Sequence, residues 1–469
     1  MDNIQRVAVT GAGPCGLGAA KYLVAEQHFS QIVLFEQRPE PGGVWNYTGE
    51  EDASRGFAQP RPAPEGRPQQ PLADGRFASP AYETLETNIP SCIMNFIDAP
   101  FPPGTSLFPK HTVVREYLHR YADELRPLIR YQTQVLDVVS VPASQGAGWT
   151  VTWRDLSTQD MADQQFDAVV VANGHHNDPY IPSIPGLAEW ATRHPGSISH
   201  SASFRHAGPF TDKKVIVVGN SASGIDIGAQ IAQVCRRPLL ISERTASTLT
   251  PAQQGVATLV PEISTVDGET RCVTLADGRV ERQVDHIVFC TGYHFSVPFL
   301  GRLDPPVVTD GVRPHRLYQH IFYSPQPTLA LVGFPQRIVP FPVSQAQGAW
   351  IARVFAGRAA LPDQEEMDRW ESAWEAARGS GRAFNAIPFP LDADYINTLA
   401  ALSAAATPRP GLENGGAGRR PPFWGARERW LRERFPLIKR ASKALGSRRS
   451  EVTTLEELGF DYAADKAQL

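Results

Sequence analysis

Two stretches of the chain share one design: an apolar run, a glycine turn and the start of a helix. RVAVTGAGPCGLGAA occupies residues 6–20 and KVIVVGNSASGIDI residues 214–227. A strand that turns through G-x-G-x-x-G into a helix admits few folds. The glycines serve a tight turn, a close approach of backbone to a pyrophosphate, and close packing of helix on strand. Gly11, Gly13 and Gly16 take those roles in order, with Pro14 and Cys15 inside the turn. The helix that follows points its N-terminus at the anion. A second apolar run, QIVLFE, ends at Glu36, placed to accept hydrogen bonds from ribose hydroxyls, with Gln37 next to it. Strand, turn, helix, strand and acid in this order predict a parallel α/β domain that binds a dinucleotide.

The second stretch repeats the design with one change. Gly219 and Gly224 hold the outer positions, Asn220, Ala222 and Ser223 lie between them, and Ser221 stands where the first turn has Gly13. A hydroxymethyl group is small enough to leave the approach to phosphate open. The later strand PLLIS runs into Glu243-Arg244-Thr245. An arginine there can clamp a 2′-phosphate and favours NADPH, whereas Glu243 would suit the free ribose hydroxyl of NADH. Two turns predict two nucleotides.

The rest of the composition narrows the setting. With 469 residues, 42% of them hydrophobic, the chain is long enough for more than one core. A net charge of −4 gives no pull towards nucleic acid. Apolar runs such as DAVVVANG fall far short of the roughly 18–20 residues that cross a bilayer, so no integral membrane segment is expected. The first strand begins almost at once, leaving no room for a signal peptide, and the expected compartment is cytoplasmic. The five cysteines, at 15, 92, 235, 272 and 290, form no C-x-x-C pair. That argues against a redox dithiol, a zinc site or a disulfide framework. His175-His176 lacks further metal ligands at useful spacing, and no G-x-S-x-G elbow is present.

Beyond Glu36 the sequence QRPEPGGVWNY carries Gly42-Gly43-Val44-Trp45, a glycine pair with an aromatic. In this the chain resembles the flavin-containing monooxygenases. Further matches run through most of residues 1–362: LETNIPSCIMNFIDAPFP, HTVVREYLHRYA, VVVANGHHNDPYIPSIPG, HIVFCTGYHFSVPFL and LALVGFPQRIVPFPVSQAQGAWIARVFAGRAALP. The resemblance implies FAD at the first turn, with Gly43, Val44 and Trp45 beside it. It implies NADPH at the second, because the family has a basic residue at the place of Arg244. It also implies that Asn88, in Thr87-Asn88-Ile89-Pro90, lies against the flavin, and that Gln347, in SQAQ, is a flavin-side glutamine, although Gln345 stands where an acid is usual. Asn88 has a plainer reading too, as the cap of a turn before Pro90.

Two linker signatures refine the resemblance. GSISHSASF fits the family pattern F-x-G-x-x-x-H-x-x-x-F/Y from Gly196 through His200 to Phe204, with His194 at the leading aromatic. Arg205 follows Phe204, where Baeyer–Villiger enzymes have tryptophan followed by proline or aspartate, and this favours a heteroatom-oxidising branch. His200 reads at least as well as a residue that orders the linker. DHIVFCTGYHFSVP resembles a linker of N-oxidising flavoproteins, with Thr291 and Gly292 at its turn. The implied chemistry is reduction of FAD by NADPH, addition of O2 to form a flavin 4a-hydroperoxide, and its attack by the nitrogen or sulfur of a small-molecule amine or sulfide. Ketone oxidation of the Baeyer–Villiger type is the alternative; a disulfide reductase would need the missing dithiol, and a non-catalytic flavoprotein would have lost the second turn or Asn88.

The expected architecture is α/β, with two Rossmann-like dinucleotide-binding domains and a helical C-terminal extension. Residues 1–204 form the first part of an FAD-binding domain, 205–295 an inserted NADPH-binding domain, 296–362 the closing part and 363–469 the extension. Residues 49–82 read as a long surface loop, DQEEMDRWESAWEAAR as a polar helix and TPRPGLENGGAGRRPP as a flexible linker. FWGARERWLRERFPLIKRASKALGSRRS reads as a packed or partner-binding tail. It is aromatic and basic, as a membrane-surface helix would be, but Glu428 and Glu433 interrupt its positive face and Pro436 breaks its helix. The oligomeric state is left open, a dimer included.

Overall fold

The computed structural model describes residues 4–49, 60–142, 144, 146–244 and 256–467. Thr245 and residues 50–59 of the expected loop lie outside the described residues. Runs such as VAVT and AVVV contain almost no polar residue, the mark of strands covered on both faces. They build the centre of a seven-stranded sheet. Its order is Leu317–Tyr318, Phe322–Tyr323, Leu329–Leu331, Ala168–Val171, Arg6–Thr10, Gln31–Phe35 and Ile129–Arg130. The five strands from Leu329–Leu331 onward are parallel, with Val9 opposite both Leu34 and Val170. Helix Pro14–Ala25 packs on this sheet against helix Pro340–Phe355, where a Cβ on Gly348 would sit 2.5 Å from the Ala19 Cα.

A second, five-stranded parallel sheet is made wholly from residues between those of the first. Its order is Ala257–Val260, Leu239–Ser242, Val215–Val218, His286–Phe289 and Ile198–His200. The last of these strands corrects the expected boundary at residue 204. Ile198–His200 pairs with His286–Phe289, so the crossing into the second lobe precedes it. In each sheet a glycine turn leaves the carboxyl end of a strand flanked by parallel neighbours, the edge at which open α/β sheets bind ligands. Two three-stranded antiparallel sheets, Thr133–Val141 with Gly148–Asp155 and Met161–Phe166, and Ile263–Asp267 with Cys272–Leu275 and Val280–Glu281, cover the flanks.

The C-terminal extension is helical, through Gln364–Arg378, Leu391–Ala404 and Ala426–Ala444, and two expectations about it are corrected. The stretch 407–422 is no flexible linker, because buried arginines hold its backbone. Arg358 donates to the Thr407 and Ala417 carbonyls and Arg353 to the Arg419 carbonyl. Arg358 is itself fixed by a two-pronged, buried ion pair with Glu26, 2.8 Å at each contact. Nor does Pro436 end the helix, which runs from Ala426 to Ala444. A proline inside a helix costs about 3 kcal/mol. Burial of Trp430, Leu431, Phe435 and Ile438 against the first lobe offsets this, at roughly 1.5–3 kcal/mol for each large apolar side chain. Glu428, expected to interrupt a basic face, accepts from the Gly425 N–H and closes the helix start. No helix among the described residues is long and apolar enough to cross a membrane.

Candidate active site

The two glycine turns are built alike, and the protein's own packing explains only part of each. Gly11 has φ +109°, and a Cβ there would lie 2.6 Å from the Ala172 carbonyl oxygen. A Cβ on Gly16 would lie 1.9 Å from the Gly11 oxygen. The second turn matches: Gly219 has φ +103° with the Cys290 oxygen at 2.6 Å, and Gly224 would strike the Gly219 oxygen at 1.9 Å. Gly13 is different. Its φ is −75°, and a Cβ would make only an ordinary 3.6 Å contact with the Gly43 Cα. The chain does not need glycine at 13, whereas a pyrophosphate lying there does. Ser221 stands at the same place, exposed, and caps nothing. Neither helix start has a side-chain cap, so both present N–H groups to an anion. These observations fit a dinucleotide at each turn.

Around the first turn, Pro14 opens the helix and Cys15 packs beneath Gly333, its thiol pushed up to about 12 by burial. Glu36 is buried just beyond its strand; its carboxylate accepts from the Ala12 and Arg38 N–H groups at 2.8 and 2.9 Å. Burial raises its pKa, against the opposing effect of Arg38. Gln37 is engaged by Gln69 and Gln134. The Gly43–Trp45 turn is tied back by the Gly42 N–H to the Ala12 carbonyl, 2.9 Å, and Ser79 donates to the Val44 carbonyl. Arg38 anchors the Phe77 and Ala78 carbonyls, so the end of the long loop closes over this edge.

At the second turn, Asn220 donates to Glu243 at 2.8 Å, while Ala222 and Ser223 begin the helix. Arg244 is exposed beyond the strand end. Arg382, which sequence reasoning passed over, arrives from the C-terminal extension. It lies 4.9 Å from the Tyr180 ring, and burial and Arg244 together lower its pKa. Thr291 and Gly292 sit where the two linkers meet. Thr291 donates to the Tyr180 carbonyl, and the Gly292 carbonyl accepts from the Tyr180 N–H at 2.9 Å and from His200 Nε2 at 3.0 Å. His200 Nδ1 accepts from the Ala202 N–H, which assigns its tautomer, and burial lowers its pKa to about 3. His200 is therefore a neutral linker residue.

The remaining expectations divide. Gln347 is fully buried, its oxygen taking the Gly333 N–H at 2.8 Å and its nitrogen donating to Tyr395 at 2.9 Å. Its amide is thus tied into the fold, beside the first turn through Gly333. Asn88 is exposed and its carboxamide makes no hydrogen bond within the described residues; Thr87 caps the turn instead, donating to the Ile89 carbonyl at 2.9 Å. Tyr82 and Thr84 meet the second-lobe helix Ala222–Ile231, on Asp226 and Gln230. Arg205, met only as a branch marker, is buried and donates to the Ala81, Ala202 and Phe204 carbonyls, holding this segment to the linker. No trio of metal-ligating side chains forms among the described residues.

Two dinucleotide cradles on two sheets, joined by a buried double linker, define an oxidoreductase that brings two nucleotide cofactors together. The chain belongs to the flavin-binding monooxygenase-like family, whose model matches residues 68–255 and 251–414, while an NAD(P)-binding Rossmann-like model matches 9–57. It is a flavoprotein monooxygenase, with FAD and NADPH as cofactors. Flavin-containing monooxygenase FMO GS-OX-like 2 of Arabidopsis thaliana is 34% identical over 416 residues, covering 84% of each chain. The structure of S-allyl-L-cysteine S-oxygenase from Allium sativum matches with a TM-score of 0.77 at 29% identity, covering 99% of both chains. Tmm from Pelagibacter sp. strain HTCC7211 shares the fold, with a TM-score of 0.71 at 22% identity over 93% of this chain and 91% of that one.

Proposed function

We propose that the protein uses NADPH and O2 to oxygenate a soft nucleophilic sulfur or nitrogen in a small molecule, with a sulfide the favoured substrate. The observation that carries this reading is the pairing of two like-built glycine turns, with the ionisable groups packed behind them and at the linkers held neutral by burial. Burial lowers His175 far below the usual histidine range, His176 to about 4 and His200 to about 3, and raises Cys15 and Cys290 to about 12. None of these groups is a ready acid near pH 7, so none of them offers a proton to a reactive oxygen species. When bound, the nicotinamide supplies a hydride and the reduced flavin activates O2. The protein's part is orientation and dryness: Gly13 and Ser221 admit the two pyrophosphates, Arg244 reads the 2′-phosphate, and Asn88 offers its free carboxamide to the nicotinamide and flavin. The sulfide preference rests on the likeness to the Allium S-oxygenase over nearly the whole chain.

The test is product analysis with matched sulfides, amines and ketones, in wild type and Asn88→Ala. Sulfoxide should form in step with NADPH consumed by the wild type. The variant should go on oxidising NADPH but release hydrogen peroxide in place of product. Esters from ketones, or native coupling in Asn88→Ala, would refute the reading.

A further inference from the structure

The basic C-terminal helix has no part in either cradle, yet it touches both lobes at the segment that carries Asn88. Lys439 Nζ donates to the Thr87 carbonyl at 2.6 Å and lies 4.2 Å from the Phe108 ring. The same stretch is held from behind, since the Thr87 N–H bonds the Pro109 carbonyl at 3.0 Å and the Leu107 N–H bonds the Val452 carbonyl at 2.7 Å. One turn further on, Lys443 pairs with Asp226 at 3.2 Å, on the helix that starts from the second glycine turn. Arg449 closes the set on Glu86 at 3.0 Å. Lys439 and Lys443 are four residues apart and so share one face of the helix. That face spans the joint between the flavin lobe and the nicotinamide lobe.

We propose that this helix is a strap across the two lobes, and that Lys439 is a positioning residue which holds the peptide before Asn88 so that its carboxamide faces the nicotinamide and flavin. The proposal rests on the function given above. Burial lowers the Lys439 pKa to about 8, with Glu86 and Asp226 opposing and Lys443 and Arg449 reinforcing that shift. A half-buried ammonium is disfavoured by desolvation and is a poor choice for stability alone. Its carbonyl partner belongs to the peptide before Asn88, whose side chain makes no hydrogen bond among the described residues.

The experiment compares Lys439→Met, Lys443→Met, Asn88→Ala and the double variant Asn88→Ala/Lys439→Met as full-length, FAD-loaded proteins. The readouts are FAD content, melting temperature, hydrogen exchange of residues 84–90 and the fraction of oxidised NADPH recovered as hydrogen peroxide. Lys439→Met should keep its FAD and melt no lower than wild type, because it removes a desolvated charge. Exchange at 84–90 should rise several-fold and the peroxide fraction should approach that of Asn88→Ala. Lys443→Met should keep its FAD and show a smaller rise in peroxide. The double variant should be no worse than Asn88→Ala, since Lys439 acts through Asn88. A melting temperature that falls together with FAD content would mean a packing role and overturn the proposal. Native peroxide release in Lys439→Met beside a leaky Asn88→Ala, or additive effects in the double variant, would overturn the strap and leave the function standing. If Asn88→Ala itself is native, the reading of Asn88 fails and the proposal fails with it.

Discussion

Gly13 and Gly16 stand three residues apart in one turn, yet alanine at each should do opposite things. At Gly16 a Cβ would lie 1.9 Å from the Gly11 oxygen and 3.0 Å from its carbon, so backbone must move against backbone. Overpacking of this kind costs about 1–3 kcal/mol and can exceed that where the obstacle cannot rotate away. At Gly13 the nearest atom would be 3.6 Å off, and the backbone, φ −75° and ψ −178°, suits any L-residue. Gly13→Ala should leave apoprotein stability within about 1 kcal/mol of wild type, with the lower entropy of the unfolded chain on its side. FAD affinity should respond in the reverse sense. A methyl group that displaces the pyrophosphate from the helix start forfeits at least one charge-assisted hydrogen bond, roughly 1.5–3 kcal/mol, or about one to two decades in Kd. Thermal unfolding of apoprotein and equilibrium dialysis with FAD separate the two quantities, with Gly13→Val as the stronger perturbation. If Gly13→Ala apoprotein is as unstable as Gly16→Ala, glycine at 13 serves packing. If Gly13→Val binds FAD normally, no pyrophosphate lies there.

Arg244→Ala should weaken NADPH by about one to two decades, through loss of a charge-assisted contact of roughly 1.5–3 kcal/mol, and leave NADH little changed; a wild type that prefers NADH in steady-state kinetics would make Glu243 the reader. Arg358→Leu leaves Glu26 buried without a partner and should cost about 3–5 kcal/mol in urea unfolding, with new protease sensitivity at 407–422, whereas adding Glu26→Gln should recover much of the loss. The His200 pKa is about 3 in the fold against an ordinary 6.5, so its contribution to stability is complete above pH 6.5 and is lost as pH falls towards 3. His200→Gln should therefore flatten part of the acid limb in unfolding midpoints measured from pH 7 to 4; His176 and His286, both lowered to about 4, keep the rest.

What was legible in the sequence was local. A glycine whose Cβ would strike a carbonyl one turn away leaves its mark within a few positions, so both turns, their strands and the acids at Glu36 and Glu243 could be read directly. Asn88 came mainly through resemblance, since its neighbours alone did not separate a ligand contact from a turn cap, and Arg244 was read from the strand end, where only the resemblance favoured it over Glu243. Contacts that close over hundreds of residues left no such trace. Glu26 finds Arg358 across 332 positions, and Lys439 finds Thr87 across 352. The flexible reading of 407–422 failed for this reason: its glycines and prolines are what a loop shows, while the arginines that pin it lie outside it, at 353 and 358. Pro436 misled similarly, since a local rule about helix breaking was weighed without the apolar face that the helix buries. Gln347, carried over by motif, is bonded to Gly333 and Tyr395, partners that the motif alone did not reveal.

The charged groups that the sequence could not place are also the ones that explain how two nucleotide sites become one active site. Each cradle is built on its own sheet. Oxygen transfer asks for more, because the nicotinamide and the flavin must meet in a space that water does not share. His200 is neutral and bonded to the Gly292 carbonyl, so it holds the joint without bringing charge into it. The cations of the C-terminal segment are each paired: Lys439 on the Thr87 carbonyl, Lys443 on Asp226 and Arg449 on Glu86. A neutral, desolvated histidine at the joint suits a moisture-sensitive reaction. Substitutions at Lys439, Lys443 or Arg449 should therefore alter the partition between product and peroxide before they alter the binding of either cofactor.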